Sequence, residues 1–146
     1  METKADVAST ELFNCGFNCA QAVLGVFCDD YDLDQEDAFR LTCGLGGGAH
    51  CGELCGAVSG GVLVVGLKHG NAIAGDTGAK MNCARSSAEF TKKFRERHGS
   101  VVCRELLGID ISAPENWELA KSSGLFDVKC RGFVRDAVEL LEELGY

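Results

Sequence analysis

The residues with the most chemistry to offer are nine cysteines, at positions 15, 19, 28, 43, 51, 55, 83, 103 and 130 of a 146-residue chain. Thiolate sulfur is a soft metal ligand and a nucleophile, while a protonated thiol behaves as a small apolar group. Cluster or metal ligation, thiol–disulfide exchange and plain burial are therefore all open. Cys15/Cys19 and Cys51/Cys55 are spaced by four, which on a helix puts each pair on one face, one turn apart. No Cys-x-x-Cys occurs, so neither a zinc ribbon nor a thioredoxin motif is present. The count is odd, which argues against a disulfide scaffold.

Position along a helix separates the cysteines further. If Ser100 caps a short helix, Cys103 is its third residue, and if Asp127 caps the last helix, Cys130 is likewise third. Cys51 and Cys55 fall near the start of a Gly-rich helix. The positive end of a helix dipole favours thiolate over thiol, so Cys103 and Cys130 read as functional. Cys28, Cys43 and Cys83 read as burial. His50, beside Cys51, reads as a solvated loop residue with ligation or proton donation as the alternative. His69 and His98 precede glycines at helix ends, and Trp117 reads as a core anchor.

The elements that must hold these residues are helices. Apolar spacings of three and four predict one helix over 5–28 and a second capped by Asp34, which stops in the run Gly44-Leu45-Gly46-Gly47-Gly48. A third, Gly-rich helix is expected over 50–68, a fourth over 78–98 closed by Gly99, and a short one over 101–107. Ser112-Ala113-Pro114-Glu115 reads as a capping box starting a helix to Ser122, and the last helix spans about 128–144. No segment alternates with period two. The expectation is an all-α single domain over residues 1–146, a bundle of about six to seven helices with a Gly-rich loop before a buried Gly-rich helix.

Glycine inside a helix costs roughly 0.5–1 kcal/mol relative to Ala, so Gly52, Gly56 and Gly60 should be offset by something. A close helix crossing is one reason; approach of backbone to a cofactor or another thiol is the other, and the two are compatible. Gly46, Gly47, Gly48 and Gly56 are on that ground the candidate cofactor-binding glycines. The loop lacks a preceding strand, a Gly-Lys-Ser/Thr end and dinucleotide spacing, which argues against a nucleotide.

Composition removes other classes. Fourteen Lys+Arg against 22 Asp+Glu give a formal charge of −8, so no nucleic-acid partner is expected. The longest apolar run, 57–67, is too short to cross a bilayer, and the polar start carries no secretory signal. A cytoplasmic address and no membrane insertion are the expectation. The acidic surface suits a basic redox partner protein, and a homodimer through the Gly-rich helix is a candidate assembly.

At Gly16-Phe17-Asn18-Cys19-Ala20-Gln21-Ala22-Val23-Leu24, Leu45-Gly46-Gly47-Gly48, Cys55-Gly56-Ala57-Val58-Ser59-Gly60, Cys103-Arg104-Glu105-Leu106-Leu107 and Cys130, the chain resembles the C_GCAxxG_C_C family of redox proteins. The resemblance runs over nearly the whole chain. It implies a small helical redox protein defined by Cys19, Cys55, Cys103 and Cys130. Related domains occur in split-Soret cytochromes, but this chain has no Cys-x-x-Cys-His, so no c-type haem is expected. Four thiolates are the usual complement of an iron–sulfur cluster. The leading expectation is thus electron transfer by a cluster or other metal on those four cysteines, which are the candidate metal ligands and catalytic residues. The alternatives are thiol–disulfide exchange by a low-pKa Cys103 or Cys130, and a non-catalytic zinc or interaction module with no redox cofactor.

Overall fold

In the computed structural model, which describes residues 1–146, the chain forms eight α-helices and no sheet. They are α1 (Lys4–Asp6, continued by a π-turn over Val7–Leu12), α2 (Cys19–Gly25), α3 (Gln35–Thr42), α4 (Gly56–His69), α5 (Thr77–His98), α6 (Cys103–Leu107), α7 (Pro114–Ser122) and α8 (Arg131–Glu143). The all-α expectation holds, with one helix more than the upper count expected. The extra element arises because the stretch read as one helix over 5–28 is two.

The break lies at residues 13–18. Gly16 takes φ +99°, a left-handed value that glycine adopts at no steric cost. Asn18 then caps α2: its side chain accepts from the Gln21 amide at 2.9 Å, and the Gln21 side chain accepts from the Asn18 amide at 2.8 Å. This reciprocal box satisfies two donors that a helix start otherwise leaves orphaned. The same side chains hold α3, since Asn18 Nδ2 donates to the Cys43 carbonyl and Gln21 Nε2 to that of Phe39. Phe17 stacks on Phe39 at 3.9 Å. Asp34 caps α3 as its position predicts, accepting from the Asp37 amide.

The third expected helix starts six residues later than its composition suggests. Gly47, Gly48, Ala49 and His50 all have φ near +60°, forming a left-handed turn, and Gly52 is at +70°. Ala49 and His50 pay a steric cost for this that a glycine would not. Cys51 therefore lies in a loop and does not share a helix face with Cys55, just as Cys15 does not share one with Cys19. Ser112 likewise caps nothing. Its hydroxyl donates to Asp110, and α7 starts from Ala113 with Pro114 in the first turn.

The core is a crossing of α2 and α4 wrapped by α5 and α8. Val23, Leu24, Val58, Val64, Val65, Phe90, Phe94, Val134, Val138 and Leu141 are all buried. The small-residue reading of α4 is right for Gly60. A Cβ there would come within 2.9 Å of the Ala20 carbonyl, so the glycine sets how closely α4 approaches α2. Gly61 gives its space to the Phe90 ring. A second, smaller apolar cluster of Cys103, Leu107, Ile111 and Ala120 packs with Phe126, Cys130 and Phe133. Phe133 also touches the main core. No helix is long and apolar enough to cross a membrane.

Gly61→Ala should therefore cost about 1–3 kcal/mol through overpacking against Phe90. Gly66→Ala, where a Cβ meets nothing within 4 Å, should gain about 0.5–1 kcal/mol. Urea unfolding of the two variants checks the pair; equal effects would contradict this packing.

Candidate functional site

Between the main core and the smaller cluster lies a cavity of about 520 Å³. Cys19, Cys55, Cys103 and Cys130 all line it. They come from four separate parts of the chain, and each is placed by a local device. Cys19 is the first residue of α2, fixed by the Asn18–Gln21 box. Cys55 immediately precedes α4, and Cys103 opens α6. Those two helix starts are tied by a single antiparallel bridge between Leu54 and Val102. In it the Cys55 amide donates to the Val101 carbonyl at 2.8 Å and the Cys103 amide donates to the Glu53 carbonyl. Cys130 ends a π-turn over Phe126–Cys130 that runs straight into α8.

The expected caps for Cys103 and Cys130 are absent. Val102 precedes α6, and Ser100 accepts from the Val102 amide instead. Asp127 is inside the π-turn and pairs with Arg131 at 3.3 Å. The low thiol pKa expected for these two residues is reversed as well. Burial pushes the Cys103 thiol up to about 11, with the Cys19 sulfur and Asp110 adding to it. Burial also raises Cys130 strongly, aided by Cys19, Cys55, Cys103 and Asp127. Cys55 is raised by burial and by Cys19, against the amides of Ala57 and Val58. Loss of hydration outweighs any dipole benefit here.

Cys19 has the best hydrogen-bonding surroundings of the four. Burial raises its thiol too, but the backbone amides of Gly47, Ala20 and Gly56 point at its sulfur and oppose the shift. A Cβ on Gly56 would collide with that sulfur, and one on Gly46 would come within 2.7 Å of the Asn18 side chain. Of the four candidate glycines, Gly47 and Gly56 line the cavity. Gly46 and Gly48 stand behind it: Gly46 lets the loop lie on Asn18, and Gly48 has no room for a Cβ against the Glu53 backbone.

The remaining five cysteines stay outside. Cys15, Cys43 and Cys51 are exposed, Cys83 is half-buried, and Cys28 is buried and bonded to the Leu24 carbonyl. Burial was the reading for Cys28, Cys43 and Cys83, and it fails at Cys43. No three His, Cys, Asp or Glu side chains stand close enough together to hold a single metal ion. The four cysteines share the lining of one cavity. A mononuclear zinc site of the kind considered as an alternative is not formed by these side chains.

Trp117 is no core anchor. It is 36% exposed and lines the cavity with its ring 5.0 Å from that of Phe126. Lys121, one turn further along α7, lines it too. Their i, i+4 spacing in a helix was the available signal for a shared face. His50 is exposed, with its ring 6.4 Å from Trp117.

In the reduced, metal-free chain at pH 8, Cys15, Cys43 and Cys51 should alkylate first and Cys55, Cys103 and Cys130 last. A thiol at about 11 leaves only about one thiolate in a thousand at that pH. Mass spectrometry of a timed iodoacetamide reaction checks the order; early labelling of Cys103 would contradict it.

Residues 17–144 match the family described as "Putative redox-active protein (C_GCAxxG_C_C)". No curated protein and no solved structure matches the chain. The family match takes in all four cavity cysteines and the helices that carry them, and the chain belongs to this redox-active family.

Proposed function

We propose that Cys19, Cys55, Cys103 and Cys130 together hold an iron–sulfur cluster, and that the protein transfers electrons through it. The observation that carries this reading is that four sulfurs from distant parts of the chain line one cavity. The donor set is soft and sulfur-only, since the one carboxylate in the lining, Asp127, is paired with Arg131. Such a set selects clusters, zinc or Cu(I) over hard cations. In a cluster, iron and sulfide atoms stand between the thiolates, so four sulfurs lining one cavity can share it without meeting at a single ion. When bound, a cluster supplies one-electron exchange.

The chain's own residues do three things for it. The amides of Gly47, Ala20 and Gly56 at the Cys19 sulfur stabilise negative charge there, and hydrogen bonds to ligand sulfurs tune a cluster's potential. Gly56 admits the Cys19 sulfur where a Cβ would collide with it, and Gly47 takes the left-handed φ +62° of the adjoining turn. The apolar side chains of Phe13, Phe17, Leu106, Leu107 and Phe133 line the same cavity, lowering the local dielectric around the sulfurs. All nine cysteines are free, as in a reducing cytoplasm. The net charge of −8 suits encounter with a basic redox partner. Thiol exchange gains no comparable support, because burial leaves the four thiols protonated and weakly nucleophilic.

Anaerobic purification or reconstitution with iron and sulfide should give a brown protein with visible absorbance. Single Cys→Ser changes at 19, 55, 103 and 130 should each remove most of the bound iron, whereas the changes at 15, 43 and 51 should leave it. Gly56→Ala should lower iron content through the Cys19 sulfur while circular dichroism stays helical. An iron-free wild-type protein, or equal losses from both cysteine groups, would overturn the assignment.

A further inference from the structure

The cavity is larger than its four sulfurs need. A cluster core of at most eight iron and sulfide atoms occupies on the order of 200 Å³, at roughly 30 Å³ per water-sized particle. About 520 Å³ is present, and the remainder approaches the lower end of organic-ligand pockets, roughly 300 Å³. The sulfur side lies on α2, α4 and α6. The other side is built by α7 and the π-turn before α8, and its chemistry differs.

That wall is aromatic and carries one unpaired cation. Trp117 and Phe126 stand 5.0 Å apart with their planes inclined at 51°, and Phe13 and Phe17 also line the space. Charge within the lining comes from Lys121 and Asp127. Asp127 is paired with Arg131 at 3.3 Å. Lys121 joins none of the ion pairs in the molecule, in a chain of net charge −8. Lys121 is one of several lysines outside the ion pairs and the one that lines this recess, where it offers a cation to an anionic ligand.

The wall is also lightly anchored. Of the nine residues in α7 only Ala120 is buried. The helix is flanked by Gly108 at φ +73° and Gly124 at φ +75°, left-handed positions suited to glycine. Such a segment can shift to admit a ligand at little cost to the main core.

We propose that the α7 side of the cavity binds a small planar aromatic ligand carrying a single negative charge, its ring against Trp117 and Phe126 and its anion at Lys121. The proposal rests on the cluster reading only for what fills the sulfur side. Stacking on Trp117 and Phe126 is common to any aromatic body; Lys121 supplies the preference for an anion.

The sole tryptophan of the chain is Trp117, so its fluorescence reports this site and no other. Three probes with one body and different charge test the claim: 4-nitrobenzoate, 4-nitrobenzyl alcohol and 4-nitrobenzylammonium. They are titrated under argon into the full oxidised chain, iron-loaded and iron-free, with calorimetry as a second readout. The expected result is saturable quenching, with 4-nitrobenzoate at least tenfold tighter than the alcohol and the ammonium weakest. Lys121→Met should bring 4-nitrobenzoate level with the alcohol, and Lys121→Arg should keep the preference. Absence of saturable binding, equal affinity for the three probes, or an unchanged preference in Lys121→Met would overturn it. Binding of 4-nitrobenzoate by a chain that never takes up iron would sustain this site and defeat the cluster. Iron uptake without probe binding would defeat this site alone.

Discussion

Three helices of this bundle begin at one cavity, two of them tied by backbone hydrogen bonds and the third set by a side-chain cap. The bridge between Leu54 and Val102 locks the start of α4 to the start of α6. The Asn18–Gln21 box locks the start of α2 and fastens it to α3. Each of those starts carries a cysteine, so the sulfurs are positioned by how the helices are started and capped. Rearranging them would mean breaking these hydrogen bonds, each of which leaves polar groups without a partner. The cavity is thus a consequence of where helices begin.

Close approach is the second requirement, and glycine meets it. Gly60 brings α4 against the Ala20 carbonyl, and Gly56 leaves room for the Cys19 sulfur. The left-handed turn from Gly47 to His50 presents the Gly47 amide to the same sulfur. Two non-glycine residues in that turn, Ala49 and His50, hold left-handed backbone, a cost tolerated where surrounding structure fixes the path and one that recurs at functional sites. The burial that results makes the cavity hostile to four bare thiolates, so negative sulfur there calls for positive charge from outside the chain.

The amphipathic elements were legible in sequence. Helices α3, α5 and α8 follow from Asp34, from Gly99 and from the period of Val134, Ala137, Val138 and Leu141. What escaped is local and non-periodic. Apolar spacing runs on across residues 13–18, so the helical period hid a break that Gly16 and the Asn18–Gln21 box together signal. A one-pair bridge has no periodicity to detect, which is why the juxtaposition of Cys55 with Cys103 had to come from the family resemblance. Thiol acidity failed for a different reason: dipole arguments counted the helix start and omitted the loss of water around it. The core-anchor reading of Trp117 and the silence on Lys121 share a cause: a partly exposed helix wall and a surface helix look alike in one dimension.

Iron K-edge X-ray absorption of the anaerobically prepared protein tests the central claim most directly. The account predicts a first shell of sulfur alone with iron–iron scattering beyond it. A shell of oxygen or nitrogen, or isolated iron with no neighbouring iron, would contradict it.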